Sequence, residues 1–183
     1  MNLHVLTPGD APAASRTVLD GIAADLGSVP NLAAAIAASP TLLSTFDALR
    51  RTVSDETFDP TRRDIAGVAV GVAVDNAYGV AFHSTVLGFL AVEANEMDAM
   101  RAGSEPSDTV HAAVYAFARD VAVHRGKVTA YVVRRAYDAG LSDSARLHLV
   151  AEWVFAGLVG IVDNLAGRIP LDEFLQPQAW KAS

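Results

Sequence analysis

Apolar residues recur at helical spacing along almost the whole chain. In "PAASRTVLDGIAADLG" Val18, Ile22 and Leu26 stand four residues apart, and the run stops at Gly27. "SVPN" reads as a turn, since proline pushes Val29 away from helical backbone. "NLAAAIAAS" and "SPTLLSTFDALRRTV" follow as short helices, the second with Ser39 as N-cap and Pro40 at its first helical position. Asp59 and Pro60 open "DPTRRDIAGVAVGVAVDN" in the same way. Its valines suit a strand, but the run is too long for one and alanine keeps returning, so a helix is expected. Another helix begins near "NAYG" and continues through "VAFHSTVLGFLA". "NEMDAMRAG" gives a short amphipathic piece ending at Gly103. "SEPSDTVHAAVYAFARDVAVHRG" sets Val110, Val114, Phe117 and Val121 on one face, and "KVTAYVVRRAYDAG" ends at Gly140. "SDSARLHLVAEWVFAGLVGIVDNLAG" is a long buried helix capped by Ser142, and "RIPLDEFLQPQAWKAS" reads as a short turn with a loose end. Many helices joined by short loops predict an all-α fold, an orthogonal multi-helix bundle in one domain over residues 1–183.

Composition narrows the picture. A chain of 183 residues that is 51% hydrophobic can bury a sizeable core and is not of the disordered class. The longest apolar stretch, "DIAGVAVGVAVDNAYGVAFHSTVLGFLAVE", is divided by Asp75, Asn76 and His83, so it reads as core and not as a membrane span. The opening "MNLHVLTPGD" lacks the basic start and apolar core of a signal peptide, and a cytoplasmic location is expected. A net charge of -7 with no basic stripe argues against nucleic acid as a partner. The absence of cysteine excludes disulfides, thiolate metal sites and chemistry on the protein's own thiol.

Candidate chemistry gathers in "DNAYGVAFH". Asn76, Gly79 and His83 share one face of their helix, and Asp64 lies one turn into the helix before it. If the two helices pack antiparallel across the "DNAYG" corner, Asp64 reaches His83, and a carboxylate orienting an imidazole makes a general base. The competing reading is a core histidine bonded to a backbone carbonyl, with Asp75 and Asn76 serving only as helix caps. Tyr78 is either a hydrogen-bond donor to substrate or a core aromatic, and Gly79 either opens space or permits close packing. Glu152 and Asp163 stand eleven residues apart and share a face of the last long helix. One enters a pocket or satisfies a partner helix, and the sequence leaves this open. His111, His124 and His148 are expected to lack acidic partners at ligand spacing, and no HxxxH or Glu-x-x-His pattern occurs, so no metal is expected. No cofactor is expected either. Ser84 and Thr85 adjoin His83 but point away from it, which argues against a Ser-His pair. Trp153 and Phe155 read as core or subunit contact.

The order of these segments resembles the AhpD-like alkylhydroperoxidase and carboxymuconolactone decarboxylase family, from about Gly27 to Gly167. "GSVPNLAAAIAASPTLLSTFDAL" is similar to the start of that family. "RRDIAGVAVGVAVDNAYGVAFHS" is similar to its central signature, an acid followed by Cys-x-x-Cys and a histidine four residues beyond the second cysteine. "HRGKVTAYVVRRAYDAGLSDSARLHLVAEWVFAGLVGIVDNLAG" resembles the remainder, including the "AGLSD" turn and the late Asn164. Here Asn76 and Gly79 take the two cysteine positions, Asp64 takes that of the glutamate, and His83 remains. The peroxidase cycle of the family needs a thiolate and a resolving thiol, so composition excludes it. Decarboxylase members are similar in having an acid and a histidine without the cysteine pair, whereas the longer N-terminal part looks more like the peroxidase branch.

The resemblance implies the AhpD-like fold and a homo-oligomer, a dimer, trimer or hexamer. The residues at the altered site suggest a thiol-independent enzyme for proton transfer, of decarboxylase, isomerase or lactone-hydrolase type, on a small carboxylate or lactone. His83 would move the proton and Asp64 would orient it. Asn76, Tyr78 and Gly79, with the N–H groups and positive end of their helix, would hold an anionic group. The alternative is a non-catalytic relative that binds a small molecule or serves in assembly.

Overall fold

The computed structural model describes residues 3–54 and 57–181, and the ends of the chain, Met1, Asn2, Ala182 and Ser183, lie outside them. Among the described residues nine α-helices and one 3-10 helix follow in order: α1 Ala13–Leu26, α2 Asn31–Ile36, α3 Pro40–Val53, α4 Pro60–Ala73, α5 Ala77–Phe89, α6 Ala94–Arg101, α7 Thr109–His124, α8 Ala130–Asp138, α9 Asp143–Ala166, then 3-10 helix Glu173–Gln178. No strand occurs among the described residues, and the all-α expectation holds. The valine-rich stretch that suited a strand forms α4. Asp59 caps it by accepting from the Arg62 N–H, and Pro60 stands in its first turn, where its missing N–H costs nothing. Ser39, Asp108, Thr129 and Ser142 cap α3, α7, α8 and α9 in the same manner.

Among the described residues two apolar clusters make up the interior. One joins α1, α2 and α3 to the start of α5 and the C-terminal half of α9, through Leu19, Ile22, Leu32, Leu43, Phe155 and Val159. The other joins α4 to α6, α7, α8 and the N-terminal half of α9, through Ile65, Val68, Met100, Tyr115 and Leu149. Fully buried side chains of this size each stabilise the fold by about 1.5–3 kcal/mol. α4 packs against α5, α7 and α9, so the seam between the clusters runs along α4, α5 and α9. Among the described residues, the helix whose length and composition would suffice for a membrane span is α9, not the stretch from Asp64 to Glu93. α9 packs on α3, α4, α5 and α7.

The C-terminal segment differs from the loose end that the sequence suggested. The Trp180 indole N–H donates to the Arg101 carbonyl at 3.0 Å, and the Arg101 guanidinium bonds Gln178 and the Ala179 carbonyl. Trp180 is 9% exposed. A polar helix end on α6 and a buried indole thus fasten a stretch that shows no helical period.

Candidate active site

The α4–α5 corner is built by polar side chains. Asp75 sits there with φ 56, a left-handed backbone that aspartate tolerates better than most residues. Its carboxylate accepts from Arg168 and Lys181, each at 2.8 Å, and the Arg168 guanidinium also reaches the Asp75 carbonyl at 2.6 Å. Asn164 donates to the Val74 carbonyl at 2.9 Å. Asp75 is therefore a corner residue and not a helix cap. The cap of α5 is Asn76, whose side-chain oxygen accepts from the Gly79 N–H at 2.8 Å while its amide donates to the Ala156 carbonyl at 3.4 Å. A methyl group at position 79 would stand 2.2 Å from that amide nitrogen, so Gly79 makes room for the cap.

This geometry corrects the anion-holding role expected of Asn76. Its side chain is buried and committed at both ends, and it does not line the cavity described below. The α5 N-terminus already has an anion of its own. Asp163 accepts from the Tyr78 N–H at 3.4 Å, from the Ile169 N–H at 2.8 Å and from Arg168 at 3.2 Å. Gly79 and Tyr78 do line the cavity, but the Tyr78 hydroxyl is bound to the Asp172 carboxylate. Burial and that hydrogen bond push the phenol well above its usual range.

Antiparallel packing across the corner brings Asp64 of α4 to His83 of α5. Nδ1 of the ring lies 2.8 Å from Asp64 Oδ1. The other oxygen of Asp64 accepts from Arg63 Nη2 at 2.8 Å and Nε at 3.2 Å. Asp64 is thus an acceptor on both sides, and Nδ1 carries the proton of that bond. Nε2 then points across the seam to Glu152 of α9, whose Oε1 is 3.5 Å away. All three side chains are buried, Asp64 and Glu152 at 1% exposure. Neither oxygen of Glu152 has a hydrogen-bond partner among the described residues. Burial pushes its carboxyl up to about 7; His83 opposes that rise and Asp64 adds to it. Burial alone would depress His83, but the bond to Asp64 and the charge of Glu152 outweigh it and hold the imidazole above its usual value.

Two residues of this site were missed or left undecided by sequence reasoning. Gly67 was missed: a methyl group there would stand 2.3 Å from the His83 ring, so the glycine is what lets the imidazole lie against α4. Its signal was a glycine one turn after an acid inside a helix. The ambiguity between Glu152 and Asp163 is resolved by their partners, since Asp163 is bound by backbone and Arg168 while Glu152 faces the cavity.

His83, Asp64 and Glu152 form the floor of a cavity of about 280 Å3. Its walls are apolar, with Leu32, Phe46, Phe82, Phe155, Val159 and Phe174. Phe82 meets the His83 ring edge-on, centroids 5.3 Å apart. Two guanidinium groups border the space, and both are paired, Arg63 with Asp64 and Arg50 with Asp25 and Asp47. No group of three or more possible metal ligands occurs among the described residues. Asp64 and Glu152 lie on opposite nitrogens of the ring, a placement unsuited to joint chelation. His111 and His124, expected to lack acidic neighbours, have Asp108 at 3.8 Å and Asp120 at 3.2 Å, each one turn away.

No family model and no curated protein matches the sequence. Solved structures do. An alkylhydroperoxidase AhpD core, an uncharacterized peroxidase-related protein from Ralstonia eutropha JMP134, superposes with a TM-score of 0.80 at 22% identity, covering 94% of this chain and 93% of that one. A cysteine-to-alanine variant of the debrominase Bmp8, in complex with 2,3,4-tribromopyrrole, gives 0.77 at 17% identity over 97% and 96%. An uncharacterized peroxidase-related protein from Silicibacter sp. TM1040 gives 0.77 at 16% identity over 96% and 93%. The chain therefore has the AhpD-like all-helical fold, as its segment order led one to expect.

Proposed function

We propose that this protein is a thiol-independent enzyme that moves protons on a small, neutral, largely apolar molecule, with His83 as the base and Asp64 as the residue that positions it. The observation that carries this reading is the fixed ring: Nδ1 is held by Asp64 at 2.8 Å, and the ring lines an apolar cavity with its Nε2 3.5 Å from Glu152 Oε1. An oriented imidazole in a water-poor space is suited to general-base work, worth about 10²–10⁴-fold in rate. A volume of about 280 Å3 is close to the lower end of small-molecule sites, roughly 300–1,000 Å3. That a debrominase of the same fold holds a tribromopyrrole agrees with a small ring as ligand.

Charge favours a neutral substrate over the carboxylate suggested by the sequence. The floor carries two acids, the bordering arginines are paired, and Asp163 fills the helix N-terminus. A substrate carboxylate would meet like charge with no free cation among these lining groups.

The test is exchange of solvent deuterium into the acidic C–H positions of small cyclic ketones and lactones, followed by proton NMR. The wild-type protein is expected to exchange them above background, and His83→Gln to lose about 100-fold or more. Equal rates in the two proteins would sink the proposal. Saturable binding of a probe without exchange would support the binding-protein alternative in its place.

A further inference from the structure

We infer that Glu152 is the second proton-transfer group of this cavity, and that the reaction is an isomerisation that shifts one proton between two positions of a single neutral substrate. The inference rests on the proton-transfer reading of His83 and adds to it a residue and a reaction class.

The two acids of α9 make an internal comparison. Asp163 is 1% exposed and accepts from Tyr78, Ile169 and Arg168, as a buried carboxylate in a structural role should. Glu152 is equally buried, yet both its oxygens lack a partner among the described residues. An unpartnered buried acid costs stability, so its retention on a cavity floor points to a ligand that supplies the partner. Its Oε1 stands 3.5 Å from Nε2 of His83, too far for a good hydrogen bond. Both side chains line the same apolar space, and the carboxyl, whose oxygens are buried at rest, reaches a small molecule bound there by turning about its own side-chain bonds. The opposite ring nitrogen is tied to Asp64, which leaves Nε2 as the free end of the imidazole.

The two groups together hold one transferable proton. In the reactive arrangement it sits on Glu152, and Nε2 presents its lone pair. Nε2 removes a proton from the carbon next to a substrate carbonyl; the C–H electrons become the new C=C bond, and the displaced pair of the old C=C bond takes the Glu152 proton at the far carbon. The substrate leaves as its isomer with the same atoms. The protein is left with an imidazolium and a carboxylate, and transfer of the Nε2 proton back to Oε1 restores it. No electron acceptor, thiol or added reactant is consumed. Decarboxylation and lactone hydrolysis make less use of this pair, since the first begins from a carboxylate that the acidic floor repels and the second needs water in a space walled by Phe46, Phe82, Phe155 and Phe174.

The experiment uses the full chain and the deconjugated isomer of cyclohexenone as probe, in deuterated buffer, with conversion to the conjugated ketone read by absorbance and deuterium position by NMR. Wild type is expected to isomerise the probe and to place deuterium at the far carbon. Glu152→Gln should lose isomerisation by about 100-fold, while exchange at the carbon next to the carbonyl continues through His83. His83→Gln should lose both. Glu152→Met, which removes the acid without leaving a polar atom buried, should match Glu152→Gln in rate and melt no lower than wild type, so that loss of fold is excluded as the cause. Exchange without isomerisation in wild type, or isomerisation equally fast in both Glu152 variants, overturns the role of Glu152 and leaves the His83 reading intact. Absence of any His83-dependent exchange overturns both.

Discussion

A single hydrogen at position 67 decides whether His83 keeps its place. Alanine there would favour the helix by about 1 kcal/mol on propensity alone, yet its methyl would stand 2.3 Å from the ring. Gly67→Ala is therefore expected to lower the melting temperature despite the better helix former, and to shift the His83 ring signals in NMR while leaving distant ones in place. Glu152 gives a pH signature. The unfolded acid titrates near 4.5 and the folded one at about 7, so between these values the folded chain holds a proton that the unfolded chain has released. Stability must then fall as pH rises through that window, by up to about 3 kcal/mol. The raised value of His83 acts in the same direction: its contribution is present below 6.5 and is lost as pH climbs through the folded value. Chemical denaturation from pH 4.5 to 8 should show this decline in wild type and a flatter curve in Glu152→Gln. An unchanged slope would mean that Glu152 is not the group responsible. Asp64 and His83 were legible in the sequence because helical spacing and one antiparallel turn suffice to pair them. Gly67 was not, because its reason is a ring from another helix.

Helix ends were the most readable feature at the level of elements. Ser39, Asp59 and Ser142 were each identified as N-caps, and each accepts an N–H of its own first turn. Local chemistry settles such ends, and sequence reports local chemistry well. The end of α5 was harder. Asn76 offers both a donor and an acceptor, so it reads equally as a cap or as a ligand group. What decides is Ala156 of α9, eighty residues away, which takes the amide hydrogen. Gly160 completes this packing, since a methyl there would meet Val74 at 2.8 Å and the Asn76 side chain at 3.2 Å. Asn76→Ala is expected to cost about 1–2 kcal/mol in denaturant titration through the lost cap. An effect confined to substrate affinity, with stability unchanged, would restore the ligand role. The fastening of the C-terminal segment by Trp180 on Arg101 was likewise invisible, because it depends on a helix end seventy-nine positions earlier.

For the molecule as a whole, α9 joins both apolar clusters and also carries an outward stripe. Leu147, Val154 and Ile161 are 69%, 42% and 63% exposed at seven-residue intervals. Glu152, which is buried, is the sole charged residue from Leu147 to Val162. Isolated apolar residues at the surface are ordinary, but a charge-free stripe along a helix is how two copies pair. We propose this face as the contact of the homo-oligomer expected from the sequence. Sedimentation should find a species heavier than the 19.2 kDa chain, and Val154→Glu with Ile161→Glu should return it to a monomer of unchanged helicity. A wild-type monomer would contradict that assignment. In the seam beneath, three helices set an imidazole between two acids, and the His83 ring offers its Nε2 as the base. Nitrogen-15 NMR of His83 across pH tests it most directly. Nδ1 is expected to stay protonated throughout, Nε2 alone to titrate, above the ordinary imidazole range, and Glu152→Gln to lower that titration. If Nδ1 titrates while Nε2 keeps its proton, no lone pair faces the cavity, and His83 is not its base.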